Sequence, residues 1–232
     1  MDTSALIRIE QHAAAVVATE YRHLPSSIVS YYLTPPAVAI ALNKQQLTAV
    51  LSRNLRYRRQ YGLSPRNVSL STQPSIQQQD YLPKLGVVSW KDCIGMDMDM
   101  DMLPKALLLP NAQNTTLTCW LNNVSDRMAM VLHAYRVTEE TPTFYLFPYL
   151  DFSKRSEYRL AVSYGELTHV RCHRRRNDFQ AQHIEVIAAW WRNIKDWPPA
   201  DVLAHLFVDV VAGSDPGQFC IIDVNPNLLA YH

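Results

Sequence analysis

The chain has 232 residues, of which 48% are apolar, and its 22 lysines and arginines nearly balance its 21 aspartates and glutamates. This length allows a buried core in one or two lobes, and the balanced charge excludes a strong overall field toward nucleic acid or an anionic membrane. No apolar run approaches the roughly 18 residues of a membrane span. The four cysteines lack metal-ligand spacing and no apolar signal core opens the chain, so we expect a globular cytoplasmic protein.

The first part of the chain carries helical patterning. Apolar residues recur at intervals of three and four in 4–24 and 43–63, and both stretches end near proline or glycine. Between them, 28–42 is interrupted by prolines and predicts extended chain. The polar stretch 64–80 predicts a loop.

The second part is rich in short runs of β-branched and aromatic residues, which predict strands. These runs are 116–121, 143–152, 158–173, 205–212 and 219–224. One helix, 178–197, interrupts them, and Tyr164-Gly165 predicts a hairpin turn. Strands and helices alternate without a regular βαβ order, so the sequence predicts an α+β fold with mainly antiparallel sheets.

Two aspartates lie at similar distances from the predicted turn at 213–217. In a hairpin of 205–212 with 219–226, Asp209 and Asp223 would face each other, and Asn225 would share the face of Asp223. Like charges directly opposite one another are destabilising, so a cation should lie between them. Two carboxylates and an amide oxygen suit magnesium, which predicts a metal site. The alternative is that 223–226 only ends a strand in an Asx-type turn.

Two arginines lie within predicted apolar strands. Arg159 and Arg171 each need a carboxylate or a phosphate to compensate for lost hydration. One interpretation is a ladder with Glu157 and Glu166 on a solvated face. The other is a site for an anionic ligand.

The order of these segments resembles the C-terminal half of ATP-grasp proteins, in which an aspartate and an acidic-x-Asn-Pro motif hold magnesium against ATP. Three further stretches, 23–33, 81–95 and 116–132, resemble the cell division cycle 123 family of that superfamily. The resemblance spans most of the chain. It implies two lobes around a nucleotide cleft, for which we predict 1–142 and 143–232.

The resemblance also implies roles for individual residues. The predicted ATP-binding residues are Lys84, Lys91, Asp92, Phe147, Tyr149, Leu150, Arg159 and Arg171, and the predicted magnesium ligands are Asp209, Asp223 and Asn225. Lysine would contact phosphate oxygens, and the chain around 148–150 would contact adenine. The alternatives are that Lys84 is an ordinary surface lysine and that the apolar residues of 143–152 belong to the core.

The sequence departs from the family pattern in places, which suggests a divergent or shortened member. The stretch 143–152 has no lysine or arginine, whereas the family's strand usually carries basic residues, and Cys172-His173 replaces the expected Gln-Arg pair. Which of Arg171, Arg174 and Arg175 would meet phosphate is therefore open. Asp97, Asp99 and Asp101 alternate with methionines and form either a cation-collecting strand face or an exposed acidic loop.

The family implies a function as an ATP- and magnesium-binding assembly chaperone. Such a protein binds the gamma subunit of eukaryotic translation initiation factor 2, and we expect a monomer that contacts neither nucleic acid nor membrane. One alternative is an ATP-grasp ligase that forms an amide bond through an acyl phosphate, so whether the protein is an enzyme stays open. The other is a scaffold that has lost nucleotide binding.

Overall fold

The structure is a computed structural model of the chain. It describes residues 3–68, 81–89, 121–122, 124–150, 155–172, 181–194, 203–215 and 217–228. Within these ranges the helices are α1 (Thr3–Gln11), α2 (Ala13–Ala18), α3 (Ser26–Val29), α4 (Lys44–Ser52), α5 (Leu55–Tyr61), α6 (Asp126–Val137) and α7 (Ala181–Arg192). The strands are β1 (Val38–Ala41), β2 (Tyr81–Leu85), β3 (Val88–Ser89), β4 (Thr143–Pro148), β5 (Glu157–Ser163), β6 (Glu166–Cys172), β7 (His205–Ala212) and β8 (Phe219–Pro226).

The chain forms two compact units, each with an antiparallel sheet. The first unit comprises Met1–Ala13 and Pro36–Tyr149, and the second comprises Ala14–Pro35 and Leu150–His232. In the first unit the strand order is β1-β4-β2-β3, and α6 packs against α1, α4, α5 and β3. In the second unit the order is β6-β5-β7-β8. The predicted α+β fold with antiparallel sheets is confirmed.

The core of the second unit lies on one face of its sheet. Ile28 of α3 and Trp191 of α7 pack there with alternate residues of the strands, such as Leu206 and Val224. The indole N–H of Trp191 donates a hydrogen bond of 2.8 Å to the carbonyl of Gly165, in the β5–β6 turn. Because side chains alternate along a strand, the other face of this sheet carries the remaining residues, which include Arg159 and Asp209.

The compact units differ from the predicted lobes at two places. Strand β4 belongs to the first unit because it pairs with β1 and β2 along its length. Residues 14–35 belong to the second unit because Ile28 lies in its core and the N–H of Leu33 donates to the carbonyl of Ile221 at 2.9 Å. Local sequence patterns do not reveal either pairing, because the paired segments are far apart in the chain.

Several predicted elements differ from the observed ones. The predicted helix at 4–24 is divided into α1, α2 and a 3₁₀ turn at Tyr21–His23, and the predicted extended stretch 28–42 begins in α3 and becomes strand only at β1. Helix α6 was not predicted, and the strand predicted at 116–121 falls almost wholly outside the described residues. The β5–β6 hairpin is confirmed, with Tyr164 and Gly165 both at positive φ. Among the described residues, every helix is too short or too polar to cross a bilayer.

Gly86, between β2 and β3, provides a sharp test of packing in the first unit. Its φ is +57°, and a Cβ placed there would lie 2.2 Å from the hydroxyl of the fully buried Tyr135. We expect Gly86→Ala to lower the free energy of unfolding by about 2–4 kcal/mol, because backbone strain and overpacking add.

The matched control is Gly62→Ala. Gly62 has a φ of +63° but nothing within 4 Å of its hypothetical Cβ, so only the backbone cost of about 1 kcal/mol remains. Both variants would be compared by urea unfolding. Equal losses would show that contact with Tyr135 contributes nothing.

Candidate functional site

A bulge in the β7–β8 hairpin determines which side chains share a face. Near the turn, Ala212 pairs with Phe219 and Val210 with Ile221, but the register then shifts and Asp209 pairs with Asp223. Continuing the first register would have set Asp209 opposite Ile222. The extra residue in β8 therefore moves Asp223 away from the core face and brings the two carboxylates opposite each other.

Four charged residues follow one another across the second sheet. Arg171 of β6 pairs with Arg159 of β5, Arg159 pairs with Asp209 of β7, and Asp209 pairs with Asp223 of β8. Directly paired residues of neighbouring strands lie on the same side, so these four form one charged row. The predicted opposition of Asp209 and Asp223 is confirmed, and the row also includes both predicted arginines.

An ion pair occupies the middle of the charged row. Arg159 Nε donates to Asp209 Oδ1 at 2.7 Å, and Arg159 Nη2 donates to Asp209 Oδ2 at 2.8 Å. Asp209 is 3% exposed. The hydrogen bond to Asp209 raises the pKa of Arg159, and the negative charges of Asp209, Asp223 and Glu157 add to this effect. Arg159 is therefore held as a cation against a buried carboxylate.

The donor set at the acidic end of the row fits a hard cation. Asp223 Oδ1 accepts a hydrogen bond of 3.0 Å from the N–H of Val224. Asn225 pairs with Phe207 and therefore lies on the same face as Asp223, as predicted. Carboxylate and amide oxygens are ligands that Mg²⁺ accepts. No cluster of three or more His, Cys, Asp or Glu able to hold a metal occurs in the described ranges, and the predicted set instead combines two carboxylates with an amide.

Lys84 lies in the first unit, on β2. It is 9% exposed, and its Nζ lies 6.0 Å from the centre of the Phe147 ring, within range of a cation–π contact. Lys84 pairs with Tyr145 and Leu82 with Phe147, so Lys84 shares one face of the first sheet with both aromatic rings. Lys84 is therefore not an ordinary surface lysine.

The predicted adenine segment begins within β4. Phe144, Leu146 and Phe147 are all buried, as the core interpretation predicted. The two residues after the strand are more accessible, since Tyr149 is half-buried and Leu150 is exposed. Their contact with adenine stays a prediction.

Several predicted residues fall outside the described ranges. These are Lys91, Asp92, Asp97, Asp99, Asp101, Arg174 and Arg175. Their proposed roles stay predictions. Arg171, by contrast, is described and exposed at the outer end of the charged row.

Phe207 is a site residue that the sequence analysis did not identify. Its ring lies 5.5 Å from the guanidinium carbon of Arg159. Phe207 precedes Asp209 by two residues in β7, so the two side chains share a face. An aromatic residue two positions from a buried carboxylate could have indicated a stacked arginine, but only the register shows which arginine it is.

Comparison with known proteins bears on the fold. No protein-family model matches the sequence, and no curated protein matches it significantly. The structure of Cdc123 from Schizosaccharomyces pombe aligns with a TM-score of 0.53 and 16% identity over 92% of this chain and 85% of that chain. The C-terminally truncated form of the same protein aligns with a TM-score of 0.54 and 15% identity over the same shares.

A third solved structure, D-cycloserine synthetase DcsG, aligns with 13% identity over 90% of this chain and 62% of that chain. Its TM-score of 0.34 is too low to bear on the fold. The two Cdc123 alignments show that the chain has the α+β fold of Cdc123, in agreement with the resemblance seen in the motifs.

Proposed function

We propose that this protein binds ATP together with Mg²⁺. The observation that supports the proposal is the charged row, in which two arginines adjoin two aspartates on one face of a sheet. Such a row offers cations for phosphate oxygens at one end and oxygen ligands for a metal ion at the other. A metal-bound polyphosphate matches both ends at once.

Arg159 can make its first contact with a phosphate group while it is still paired with Asp209. A guanidinium has five N–H donors, and the contact with Asp209 uses one on Nε and one on Nη2. Three donors are left for a phosphate group. Arg171 would supply further positive charge from the neighbouring strand, and Asp223, Asn225 and Asp209 would hold Mg²⁺.

The nucleotide-binding residues predicted in the first unit are also part of this proposal. Lys84, which is held beside Phe147, would contribute a point charge to phosphate oxygens. Tyr149 and Leu150 would contact the adenine, and Lys91 and Asp92 would lie near the phosphates. The position of Lys84 supports this assignment, because Lys84 shares one face of the first sheet with Tyr145 and Phe147.

The proposal extends to an assembly chaperone for translation initiation factor 2. It rests on the Cdc123 fold together with the motifs at 23–33, 81–95 and 116–132. The protein would bind the gamma subunit in the ATP-bound state. A purified gamma subunit should be retained on the immobilised protein with ATP and Mg²⁺, whereas the alpha subunit, as a control, should not. Retention of neither subunit would remove the partner from the proposal.

Isothermal titration calorimetry tests nucleotide binding directly. We expect saturable binding of ATP in the presence of Mg²⁺ and much weaker binding in the presence of a chelator, because the metal neutralises phosphate charge beside the aspartates. Absence of any ATP binding would overturn the proposed function. Release of ADP on addition of candidate amino acids would instead identify a ligase.

A further inference from the structure

The structure assigns Arg159 a second role, which rests on the proposed binding of ATP and Mg²⁺. We propose that Arg159 takes the place of the metal ion on Asp209 until nucleotide binds. When phosphate oxygens become available, Arg159 turns toward them and Asp209 becomes available to Mg²⁺. ATP and metal ion therefore bind cooperatively, and neither binds well alone.

The first argument concerns what Asp209 contacts. Both of its carboxylate oxygens accept hydrogen bonds from Arg159, at 2.7 and 2.8 Å, and the residue is almost fully buried. A buried carboxylate without a cation is strongly destabilising, so the protein needs a positive group at this position in every state. In the absence of ligand that group is the Arg159 guanidinium.

The second argument concerns the order of charges in the row. Arg171 adjoins Arg159 and Asp209 adjoins Asp223, so both outer pairs join like charges. A metal ion added alone would lie beside the Arg159 cation, and a polyphosphate added alone would lie beside two carboxylates. Only when both ligands are bound does each end of the charged row lie against an opposite charge. Binding of either ligand therefore favours binding of the other.

The third argument concerns which partner can move. Arg159 has a long side chain that is 34% exposed, whereas the Asp209 side chain is short and 5% exposed. Phe207 lies beside the guanidinium and offers an apolar surface along which it can shift. Arg159 is therefore the mobile member of the pair, and Asp209 stays fixed for either partner.

The test measures Mn²⁺ binding without nucleotide, by electron paramagnetic resonance of free Mn²⁺ with the full chain. Wild-type protein should bind Mn²⁺ weakly, and Arg159→Met should bind it at least tenfold more tightly, because Asp209 and Asp223 then lack the competing cation. The added change Asp223→Asn should abolish the gain. Equal Mn²⁺ affinity of wild type and Arg159→Met would overturn the proposal.

The matched control is Arg56→Met. Arg56 also contacts an aspartate, Asp126, at 2.7 Å. Asp126 lies at the start of α6 rather than opposite a second carboxylate on a neighbouring strand, so its release should not create a Mn²⁺ site. A similar gain in this variant would show that exposing any aspartate suffices, and would also overturn the proposal.

Arg159→Met removes the cation that neutralises the buried Asp209, so this variant can fail to fold. If it does not fold alone, its circular dichroism spectrum is recorded after refolding with and without Mn²⁺. Recovery of the native spectrum with Mn²⁺ supports the exchange, and failure to recover counts against it.

The proposed function is tested separately, by ATP titration of the wild type. If the variant binds Mn²⁺ tightly but the wild type does not bind ATP, both the proposed function and the role of nucleotide in the exchange would be overturned.

Discussion

Asp223→Ala is expected to weaken ATP binding in the presence of Mg²⁺ by roughly 30–100-fold, the effect of losing a charge-assisted contact of about 2–3 kcal/mol. Asp223 lies at the acidic end of the charged row, where it is half-buried and away from the core face. Its removal should therefore leave the fold intact. Calorimetry with and without a chelator measures the effect, and the residual metal-independent affinity should not fall.

Asp215→Ala is the control for that experiment. Asp215 lies in the turn of the same hairpin and is exposed. Its loss removes one negative charge from the same unit without touching the row, so ATP affinity should stay within about twofold of wild type, given solvent screening. Unchanged metal-dependent affinity in Asp223→Ala would show that the metal ligands are assigned incorrectly.

Phe144→Ala is expected to lower the free energy of unfolding by about 3–5 kcal/mol, the usual cost of truncating a fully buried phenylalanine. Phe144 lies on the face of β4 opposite Phe147 and has no accessible surface. Urea unfolding of the purified variant measures the loss. In protein that remains folded, ATP affinity should be unaltered.

Phe147→Ala separates recognition from packing on the same strand. Its ring contacts Lys84 by a cation–π interaction and lies 5.8 Å from Tyr145, centre to centre. We expect Phe147→Ala to lower the free energy of unfolding as well. We also expect it to weaken ATP binding about tenfold, a change of about 1.4 kcal/mol, because Lys84 is no longer held in place. Equal ATP affinity in the folded Phe144 and Phe147 variants would show that β4 contributes only to the core.

The charged row suggests how one surface can remain stable without its ligand. A site built for a metal ion and a polyphosphate must bring like charges together, and this is costly when the ligand is absent. Here the two central residues, Arg159 and Asp209, neutralise one another across paired strands. The outer residues, Arg171 and Asp223, are more accessible, so water reduces the cost of their charge.

Two features of the fold escaped prediction, for different reasons. Helix α6 has an apolar stripe of Met128, Leu132 and Tyr135 at helical spacing, but it also buries the polar His133, which weakens the apolar pattern. The division between units depends on β4, whose partners β1 and β2 lie far away in the sequence. Local patterning contains no information on this division.

The sequence by itself determined the two hairpins, the α+β class and the kinds of residue at the site. It did so because turn residues, strand alternation and charge are local properties. The tertiary structure alone showed that the predicted opposition of Asp209 and Asp223 requires a bulge beside Ile222, and that Arg159 neutralises Asp209. Hydrogen bonding between paired strands fixes the register, and a shift of one residue reverses which side chains meet.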